Sequence, residues 1–362
     1  MIPVTQAFAA SYAQARVKFL EAAAAAGTRI ESLPHPLPGR EGEALALDVA
    51  RDGPADADRL LILSSACHGV EGHGGSGVQV AALHDAEWRA QARAQGVAVL
   101  YLHALNPHGF SFGRRVTHEG VDLNRNFVDF TRPLPVNADY RELHAWLLPE
   151  RWPPGTFNQL RTLRYLTTRG KSALQAAITR GQYEFPGGLF FGGFAPSWSN
   201  LALRRLLREQ GRQARRIAWI DLHTGLGPNG VGERIFAGRG DDAAALRRAR
   251  SWWGGQLTST HDGSSSSAEL SGEMWNALYE ECPQAEYTGI ALEFGTRPPL
   301  EVMQALRADH WLACHPGVPA ELARQIRQQM REAFYCDTEA WKGQLVSQAR
   351  QALFQAVDGL AA

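Results

Sequence analysis

Four short apolar runs, separated by longer and more polar stretches, constrain the fold of this chain most. They cover residues 60–65, 97–102, 216–222 and 288–294. Runs of six or seven residues are too short for a typical helix and suit strands that are buried on both faces. Because helical patterns separate the runs, the sequence predicts a three-layer α/β fold. Helices would cover both faces of an open, mostly parallel sheet.

The stretches between the runs supply the helices for such a fold. Their periodicity predicts helices over residues 8–26, 78–92, 140–146, 157–180, 200–213, 241–253, 300–311, 319–334 and 339–356. A further strand is predicted over 45–49, and loops over the glycine-rich residues 72–77 and over 106–130 and 182–194. Since the composition does not shift along the 362 residues, we expect one domain over 1–362.

The composition argues against several classes of partner. Lys and Arg number 37, as do Asp and Glu, and this balance disfavours nucleic acid or an anionic membrane surface. No stretch has the length and apolarity of a membrane span, and no signal-peptide pattern is present, so we expect a cytoplasmic protein. The four cysteines include no Cys-x-x-Cys pair, which predicts neither a disulfide framework nor a structural zinc knuckle.

The first apolar run leads into a pair of potential metal ligands. His68 and Glu71 follow residues 60–65, and neutral imidazole and carboxylate are ordinary ligands of zinc. A catalytic zinc keeps three protein ligands and a water. The glycines that follow would let the backbone adopt positive φ and approach the site closely. Cys67 is an alternative nucleophile, although a small buried residue at a strand end is the simpler interpretation.

Two more apolar runs end in residues of similar chemistry. His223 follows the third run, and Glu293 lies near the end of the fourth. The carboxyl ends of parallel strands lie along one edge of a sheet, so these side chains could converge with His68. A core histidine and an ion pair between Glu293 and Arg297 are the structural alternatives. Burial of Glu293 would raise its pKa toward the range that suits a general base.

The segment 114–127 combines arginines and amides with apolar residues. Asn124 and Arg125 lie between the apolar Leu123 and Phe127, which indicates a partly buried anion site. A guanidinium holds a carboxylate through two parallel hydrogen bonds, and a second arginine nearby could stabilise an oxyanion. The alternative is a solvated basic turn.

Taken together, these motifs resemble the zinc carboxypeptidase family, the carboxypeptidase A-like metallopeptidases. In chain order they are His68-x-x-Glu71, Asn106-Pro107-x-Gly109, the segment Gly-Val-Asp-Leu-Asn-Arg-Asn-Phe at 120–127, Asp221-Leu222-His223 and Glu293. The eight-residue segment is specific, and the others are strong only in combination. Residues 68–72 and 187–193 are more similar to a bacterial branch of the family that is known as a domain of unknown function. The resemblance implies a zinc-carboxypeptidase-like fold.

The resemblance also implies an activity and its catalytic groups. The expected protein is a zinc-dependent hydrolase that cleaves an amide bond next to a free carboxylate, with a metallocarboxypeptidase as the first candidate. His68, Glu71 and His223 would bind one zinc ion per chain. Glu293 would serve as general base and acid, and Arg115 would stabilise the oxyanion.

Four further residues receive roles from the same resemblance. Asn124 and Arg125 would hold the terminal carboxylate of a peptide or acyl-amino-acid substrate, and Thr224 is counted with them. Asp122 would orient His68 from behind, as metal-bound histidines usually require.

The chain departs from the family pattern at two points. Glu71 and His223 are 152 residues apart, somewhat more than in digestive members, so residues 182–194 could form an inserted wall of the pocket. The substrate-binding tyrosine of the family has only weak candidates here, Tyr279 and Tyr287. Lack of that tyrosine would favour an alternative, an N-acyl-amino-acid deacylase of the succinylglutamate desuccinylase and aspartoacylase type.

Two rival classes have less support. A non-catalytic binding domain is disfavoured because no expected catalytic position is lost. A serine or cysteine hydrolase would depend on Ser65 or Cys67, and no Gly-x-Ser-x-Gly motif surrounds them.

Overall fold

The computed structural model describes residues 2–362 and confirms the α/β fold. Its sheet contains, in chain order, β1 (Arg29–Pro34), β2 (Ala46–Asp52), β3 (Arg59–Ser65), β4 (Val97–His103), β5 (Arg216–Asn229), β6 (Gly232–Phe236) and β7 (Glu286–Gly295). Across the sheet the order is β1-β2-β4-β3-β5-β7-β6. The four central strands β4, β3, β5 and β7 are parallel, and the outer pairings are antiparallel.

Helices and short connections link these strands. The helices are α1 (Val4–Ala7), α2 (Tyr12–Ala25), α3 (Gly72–Leu83), α4 (Ala86–Ala94), α5 (Pro107–Phe112), α6 (Ala138–Leu147), α7 (Thr156–Arg169), α8 (Lys171–Thr179), α9 (Trp198–Gly211), α10 (Ala243–Trp253), α11 (Asn276–Glu281), α12 (Pro299–Cys314), α13 (Ala320–Phe334) and α14 (Glu339–Ala361). Two 3-10 turns cover Gly69–Glu71, shortly after β3, and Leu123–Arg125. Within residues 2–362, no helix combines the length and the apolarity needed to cross a bilayer.

Alternate side chains of the central strands enter two separate hydrophobic cores. Leu61 and Leu63 of β3 pack with α2, α3, α10 and α14, whereas Leu60 and Ile62 pack with α9 and α11. This alternation follows from the period of two along a strand. The sheet is therefore covered on both faces, which confirms the three predicted layers.

The register of the central strands brings distant residues to one edge of the sheet. β3 and β5 pair Ser64 with Asp221, and β5 and β7 pair His223 with Glu293. His68 follows three residues after the end of β3. The predicted convergence of strand ends is thus present, although β5 continues past His223 to Asn229 and includes an irregularity in register.

Several predicted boundaries are wrong for identifiable reasons. The helix predicted over 78–92 is two helices, because Asp85 caps a new start at α4 by accepting a hydrogen bond from Trp88 N. The helix predicted over 157–180 is interrupted at Gly170, whose φ is 85°. The edge strands β1 and β6 were not predicted, since their sequences mix charged and apolar residues without an apolar run.

The glycine-rich segment is a helix rather than the predicted loop. Residues 72–77 form the first turns of α3, and their glycines have helical backbone angles instead of positive φ. A Cβ atom on Gly75 would lie 2.7 Å from Ser65 Cβ, and one on Gly77 would lie 2.3 Å from the ring of Phe8. The glycines therefore let α3 pack closely on β3 and on the N-terminal segment.

This close packing predicts opposite effects for two Gly→Ala substitutions in helices. Gly75→Ala should lower the free energy of unfolding by about 1–3 kcal/mol, because Ser65 in the sheet cannot move away. Gly343→Ala in α14 should raise it by about 0.5–1 kcal/mol, because alanine is the better helix former and its Cβ meets no atom within 4 Å. Denaturant unfolding measures both changes, and equal effects would contradict the packing role of Gly75.

Candidate metal and catalytic site

The chain reaches the site through a tight turn after β3. Ala66 has a φ of 56°, an uncommon conformation for a residue with a side chain. The 3-10 turn that follows is fixed by two backbone bonds, from Gly69 N to Arg115 O at 3.1 Å and from Val70 N to Arg114 O at 2.9 Å. His68 and Glu71 are therefore presented by a segment that the 114–115 backbone holds in place.

Three buried side chains form a group that could hold a metal ion. His68 Nδ1 lies 2.8 Å from Glu71 Oε1, and His223 Nδ1 lies 3.1 Å from Glu71 Oε2. One ligand atom from each residue lies within 4.8 Å of the other two. Two imidazoles and one carboxylate are a donor set that suits zinc, so the residues present fit such an ion.

The charges in this group stabilise each other. Burial opposes ionisation of Glu71, but the imidazoles of His68 and His223 hold its pKa below the usual range. Thr224 N also donates to Glu71 Oε2 at 3.2 Å. Burial also opposes protonation of His223, yet contacts with Asp221 and Glu71 raise its pKa well above the usual value.

A carboxylate supports each imidazole on the side that faces away from Glu71. Asp122 Oδ1 lies 3.3 Å from His68 Nε2, and Asp221 Oδ2 is in contact with His223 Nε2. Asp221 precedes His223 by two residues and so projects from the same face of β5. Its other oxygen accepts from Ser64 Oγ. Asp221 thus gives His223 an acceptor that could orient Nδ1 toward a metal, whereas His68 Nε2 lies between Asp122 Oδ1 and the Nη2 group of Arg115.

Arg115 links the two ends of this network. Its Nε donates to Asp122 Oδ2 at 2.8 Å, its Nη1 lies 3.5 Å from Glu71 Oε1, and its Nη2 lies 2.7 Å from His68 Nε2. Although burial opposes ionisation of Asp122, the guanidiniums of Arg115 and Arg125 hold its pKa well below the usual range. Asp122 is therefore a carboxylate that positions both His68 and Arg115.

Glu293 lies beside His223 in the neighbouring strand, and within residues 2–362 its carboxylate accepts a single hydrogen bond. Leu226 N donates to its Oε1 at 2.9 Å, and the side chain is 9% exposed. Burial, reinforced by the charge of Glu71, raises the pKa of Glu293 to about 8. Among the described residues no ion pair joins Glu293 to Arg297, so the alternative of an ion pair has no support.

The predicted substrate-binding residues line the same cavity, but they differ in how many of their hydrogen-bond donors remain available for a ligand. Met274 N donates to Asn124 Oδ1 at 2.9 Å, which leaves the amide NH2 group for a ligand. Arg125 donates to Thr179 O through Nε at 2.9 Å and also through Nη2, and to Asn124 O through Nη1 at 2.9 Å. Thr224 Oγ1 donates to Phe334 O at 2.7 Å, and its role in binding substrate stays a prediction.

A cavity of about 450 Å³ joins these groups. Polar groups line one part of it: His68, Glu71, Arg115, Asn124, Arg125, His223, Glu273 and Glu293. Apolar walls come mainly from α7, α8 and α12: Leu166, Leu174, Ile178, Val302, Met303 and Leu306. The predicted inserted wall at 182–194 contributes Phe190, whose ring lies 5.1 Å from the Arg115 guanidinium carbon. Most of the apolar wall comes from helices on either side of this loop in the chain, α7 and α8 before it and α12 after it.

Three residues considered from the sequence lie away from the cavity. Tyr279 OH donates to Asp242 Oδ2 at 3.2 Å, and Tyr287 OH donates to Ala237 O at 2.7 Å. No tyrosine between residues 2 and 362 lines the cavity. Cys67 is fully buried, and burial together with nearby carboxylates raises its pKa. A protonated, buried thiol is a poor nucleophile, which agrees with the simpler interpretation of Cys67.

Sequence reasoning missed two carboxylates in this region. Asp221 was recognised as part of the Asp221-Leu222-His223 motif but was given no role behind the imidazole, although its position two residues earlier on a strand indicates a shared face. Glu273 lies in an irregular segment between α10 and α11, and no motif or periodicity marks it. Only the tertiary structure brings Glu273 to the cavity.

Comparison with known proteins agrees with this architecture. A family model described as "Protein of unknown function (DUF2817)" matches residues 8–348. Thrombin activatable fibrinolysis inhibitor matches with a TM-score of 0.54 and 11% identity, over 98% of this chain and 77% of that chain, which shows similarity of fold. No curated protein matches the sequence.

Two further solved structures are similar at lower scores. Bovine thrombin-activatable fibrinolysis inhibitor in complex with tick carboxypeptidase inhibitor has a TM-score of 0.47 and 10% identity, covering 98% of this chain and 97% of that chain. A metallo-carboxypeptidase from Burkholderia cenocepacia has a TM-score of 0.41 and 12% identity, covering 88% and 66%.

The geometry predicts graded effects on metal affinity when metal-depleted protein is titrated with Zn²⁺. His223→Ala should abolish tight binding, because two ligands remain. Asp221→Asn should weaken it by about 10–100-fold, as loss of a carboxylate behind a ligating histidine usually does. Asp309→Asn is the control, since this buried aspartate pairs with Arg114 and not with an imidazole. Wild-type affinity in His223→Ala would contradict the proposed ligand set.

Proposed function

Because the chain belongs to DUF2817, a family described as proteins of unknown function, we propose its reaction from the site itself. The protein is a zinc-dependent hydrolase that cleaves the amide bond next to a free carboxylate, as a metallocarboxypeptidase does. One observation carries this proposal. A His-Glu-His group, a buried glutamate with a raised pKa and two arginines line one cavity.

His68, Glu71 and His223 are the metal ligands in this proposal. Three protein ligands of mixed nitrogen and oxygen type are typical of a catalytic zinc and leave a position for water. A bound zinc ion supplies Lewis acidity, which polarises a carbonyl and lowers the pKa of water to about 7.

Glu293 is the proton carrier of the reaction. It accepts a proton from the attacking water and later donates it to the leaving amine. The raised pKa of Glu293, about 8 without metal, supports this role, because a nearby cation would lower this pKa toward 7. The carboxylate is then able to exchange a proton in both directions near the working pH.

Arg115, Asn124 and Arg125 position the substrate. Asp122 holds Arg115 through Nε, and the Nη groups of Arg115, which lie beside Glu71 and His68, would donate to the carbonyl oxygen on which negative charge develops. Asn124 donates its free amide N–H groups to the terminal carboxylate of the substrate. Arg125 contributes positive charge. It also offers the guanidinium N–H groups that do not donate to the backbone carbonyls of Thr179 and Asn124.

An N-acyl-amino-acid deacylase is the second candidate. Such an enzyme would use the same ligands and Glu293, and it would hold the carboxylate of the amino-acid product. The cavity supports it because no tyrosine among residues 2–362 lines the walls, whereas apolar side chains from α7, α8 and α12 do line them. Parallel assays with N-blocked peptides and with acyl-amino acids separate the two candidates.

The proposed reaction predicts the turnover of Glu293 variants. Glu293→Gln keeps the shape of the side chain but cannot accept a proton, so kcat should fall by about 100-fold or more while Zn²⁺ stays bound. Glu293→Asp should also be impaired by roughly 100-fold, because a displacement of about 1 Å misplaces the base. The measurement is kcat together with metal content.

Glu233→Gln is the matched control for this experiment. Glu233 on β6 lies opposite Glu293 on β7 in the backbone register, and its carboxylate accepts hydrogen bonds from the hydroxyl groups of Thr258 and Ser266. Its turnover should stay near that of the wild type. Near wild-type turnover in Glu293→Gln would remove Glu293 from the mechanism.

The proposed reaction also predicts how Arg125 variants respond to the carboxylate of the substrate. Arg125→Ala should raise KM for substrates with a free carboxylate and have little effect on the same substrates as amides. Arg125→Lys should restore only part of the loss, because lysine lacks the planar fork of a guanidinium. Steady-state kinetics on matched acid and amide substrates measures this, and equal losses on both would show a structural role.

A further inference from the structure

The helix α7 presents an apolar stripe to solvent. None of its 14 residues is buried, and among the described elements it packs mainly against α8. Phe157, Leu160 and Leu163 are 68%, 62% and 56% exposed. Because residues three apart share a face of a helix, these side chains form one stripe. A contiguous group of exposed apolar side chains on a helix is typical of an interaction surface.

The stripe lies close to the mouth of the cavity. Thr162 and Leu166, on another face of α7, line the cavity. Leu300 at the start of α12 also lines it and is exposed to solvent. Closure of α7 over the cavity would leave the stripe uncovered, because the side of the helix that faces the cavity is a different one.

Basic residues accompany the stripe, and acidic residues are absent from the same part of the chain. Residues 151–183 contain five arginines and one lysine but neither Asp nor Glu. The balance of charge over the whole chain, which argued against an anionic surface, therefore hides a local positive excess. Within residues 2–362, Arg169 is the only one of the six basic residues that forms a salt bridge.

Positive charge and apolar surface lie side by side on α7. The guanidinium carbon of Arg161 is 4.7 Å from the centre of the Phe157 ring, and Arg164 directly follows Leu163. A helix with apolar side chains and arginines at one surface is typical of elements that lie in the interface of an anionic bilayer. A second copy of the chain fits less well, because a twofold contact through α7 would bring like charges together.

We propose that α7 is a docking helix through which the protein binds reversibly to the surface of an anionic lipid bilayer. Phe157, Leu160 and Leu163 enter the boundary between the headgroups and the acyl chains. Arg161 and Arg164 extend their charged ends to the lipid phosphates. The helix lies along the surface and does not cross the bilayer. The inference concerns binding alone and does not depend on the proposed reaction.

Vesicle sedimentation with the intact chain tests this inference. The wild type should sediment with vesicles that contain phosphatidylglycerol and phosphatidylcholine, and it should stay in solution with phosphatidylcholine alone. Binding should weaken as salt is added, because salt screens the attraction between arginines and phosphates. Equal binding to both kinds of vesicle, or binding to neither, would overturn the inference. No turnover is needed, so a failure of the proposed reaction would leave this result unaffected.

A variant of the apolar stripe tests insertion into the bilayer. Leu160→Ser should weaken binding to the anionic vesicles by about 10-fold or more, because burial of one leucine side chain contributes at least that factor. Leu201→Ser is the matched control, since Leu201 is 57% exposed on α9 and lies outside the stripe. Its binding should equal that of the wild type, and equal binding by Leu160→Ser would overturn the inference.

A charge variant tests the attraction to the lipid phosphates. Arg164→Gln should weaken binding by about 5-fold, in line with the contribution of one basic residue near an anionic surface. Arg212→Gln is the control, because Arg212 is exposed beyond α9 and also forms no salt bridge within residues 2–362. Loss in Arg164→Gln without loss in Leu160→Ser would show attraction without insertion and would overturn the inference.

Two further measurements distinguish other occupants of the stripe. Sedimentation equilibrium without lipid should show the same oligomeric state for the wild type and Leu160→Ser. A wild-type dimer that Leu160→Ser dissociates would assign the stripe to a second copy and overturn the inference. Polyglutamate should bind more weakly than the anionic vesicles and should not distinguish Leu160→Ser from the wild type. Tighter binding of polyglutamate that depends on Leu160 would assign the stripe to an acidic protein and would likewise overturn it.

Discussion

The parallel register of β3, β5 and β7 is the constraint on which the site depends. The pairing of β5 with β7 places His223 directly beside Glu293, and the pairing of β3 with β5 places Asp221 beside Ser64. A slip by one residue would turn every one of these side chains to the opposite face. The two hydrophobic cores prevent such a slip, because each accepts only its own set of alternate residues. Precision in the site is therefore a consequence of packing far from it.

Buried charge is the second condition that the fold has to meet. Glu71, Asp122, Asp221 and Glu293 are buried and belong to the same site. Unpaired, such carboxylates would be strongly destabilising. Three of them are compensated by imidazoles and guanidiniums, and Glu293 remains the exception with its raised pKa. Chemically similar carboxylates therefore have different tasks, because positively charged neighbours stabilise the ionised form of some of them more than that of others.

The sequence was sufficient for the core of the fold and for most of the candidate site. Apolar runs encode buried strands locally, so the central strands β3, β5 and β7 and the polar residues at the end of each apolar run could be predicted together. The edge strands could not, because their stability comes from partners and not from their own composition. The glycines of α3 were misjudged for a similar reason. Their role is defined by Ser65 and Phe8 across a packing interface, which no local pattern reveals.

Glu273 marks the limit of prediction from sequence most clearly. It lies outside every regular element, and its Oε1 has no hydrogen-bond partner among the described residues. A missing partner is a property of the folded surroundings alone. The extent of the domain over 1–362 and the expected location in the cell likewise stay predictions.

Arg125 has a second task that follows from its bonds to Thr179 O. That carbonyl is at the last residue of α8, where the carbonyls of a helix lack intrahelical partners. The guanidinium thus serves as a C-terminal cap for α8 as well as a potential contact for substrate. The stability of α8 and the orientation of Arg125 belong to one local equilibrium, so fraying of this helix would release the guanidinium. Because α8 forms part of the cavity wall, binding of substrate to Arg125 would also affect how often the C-terminal end of α8 frays.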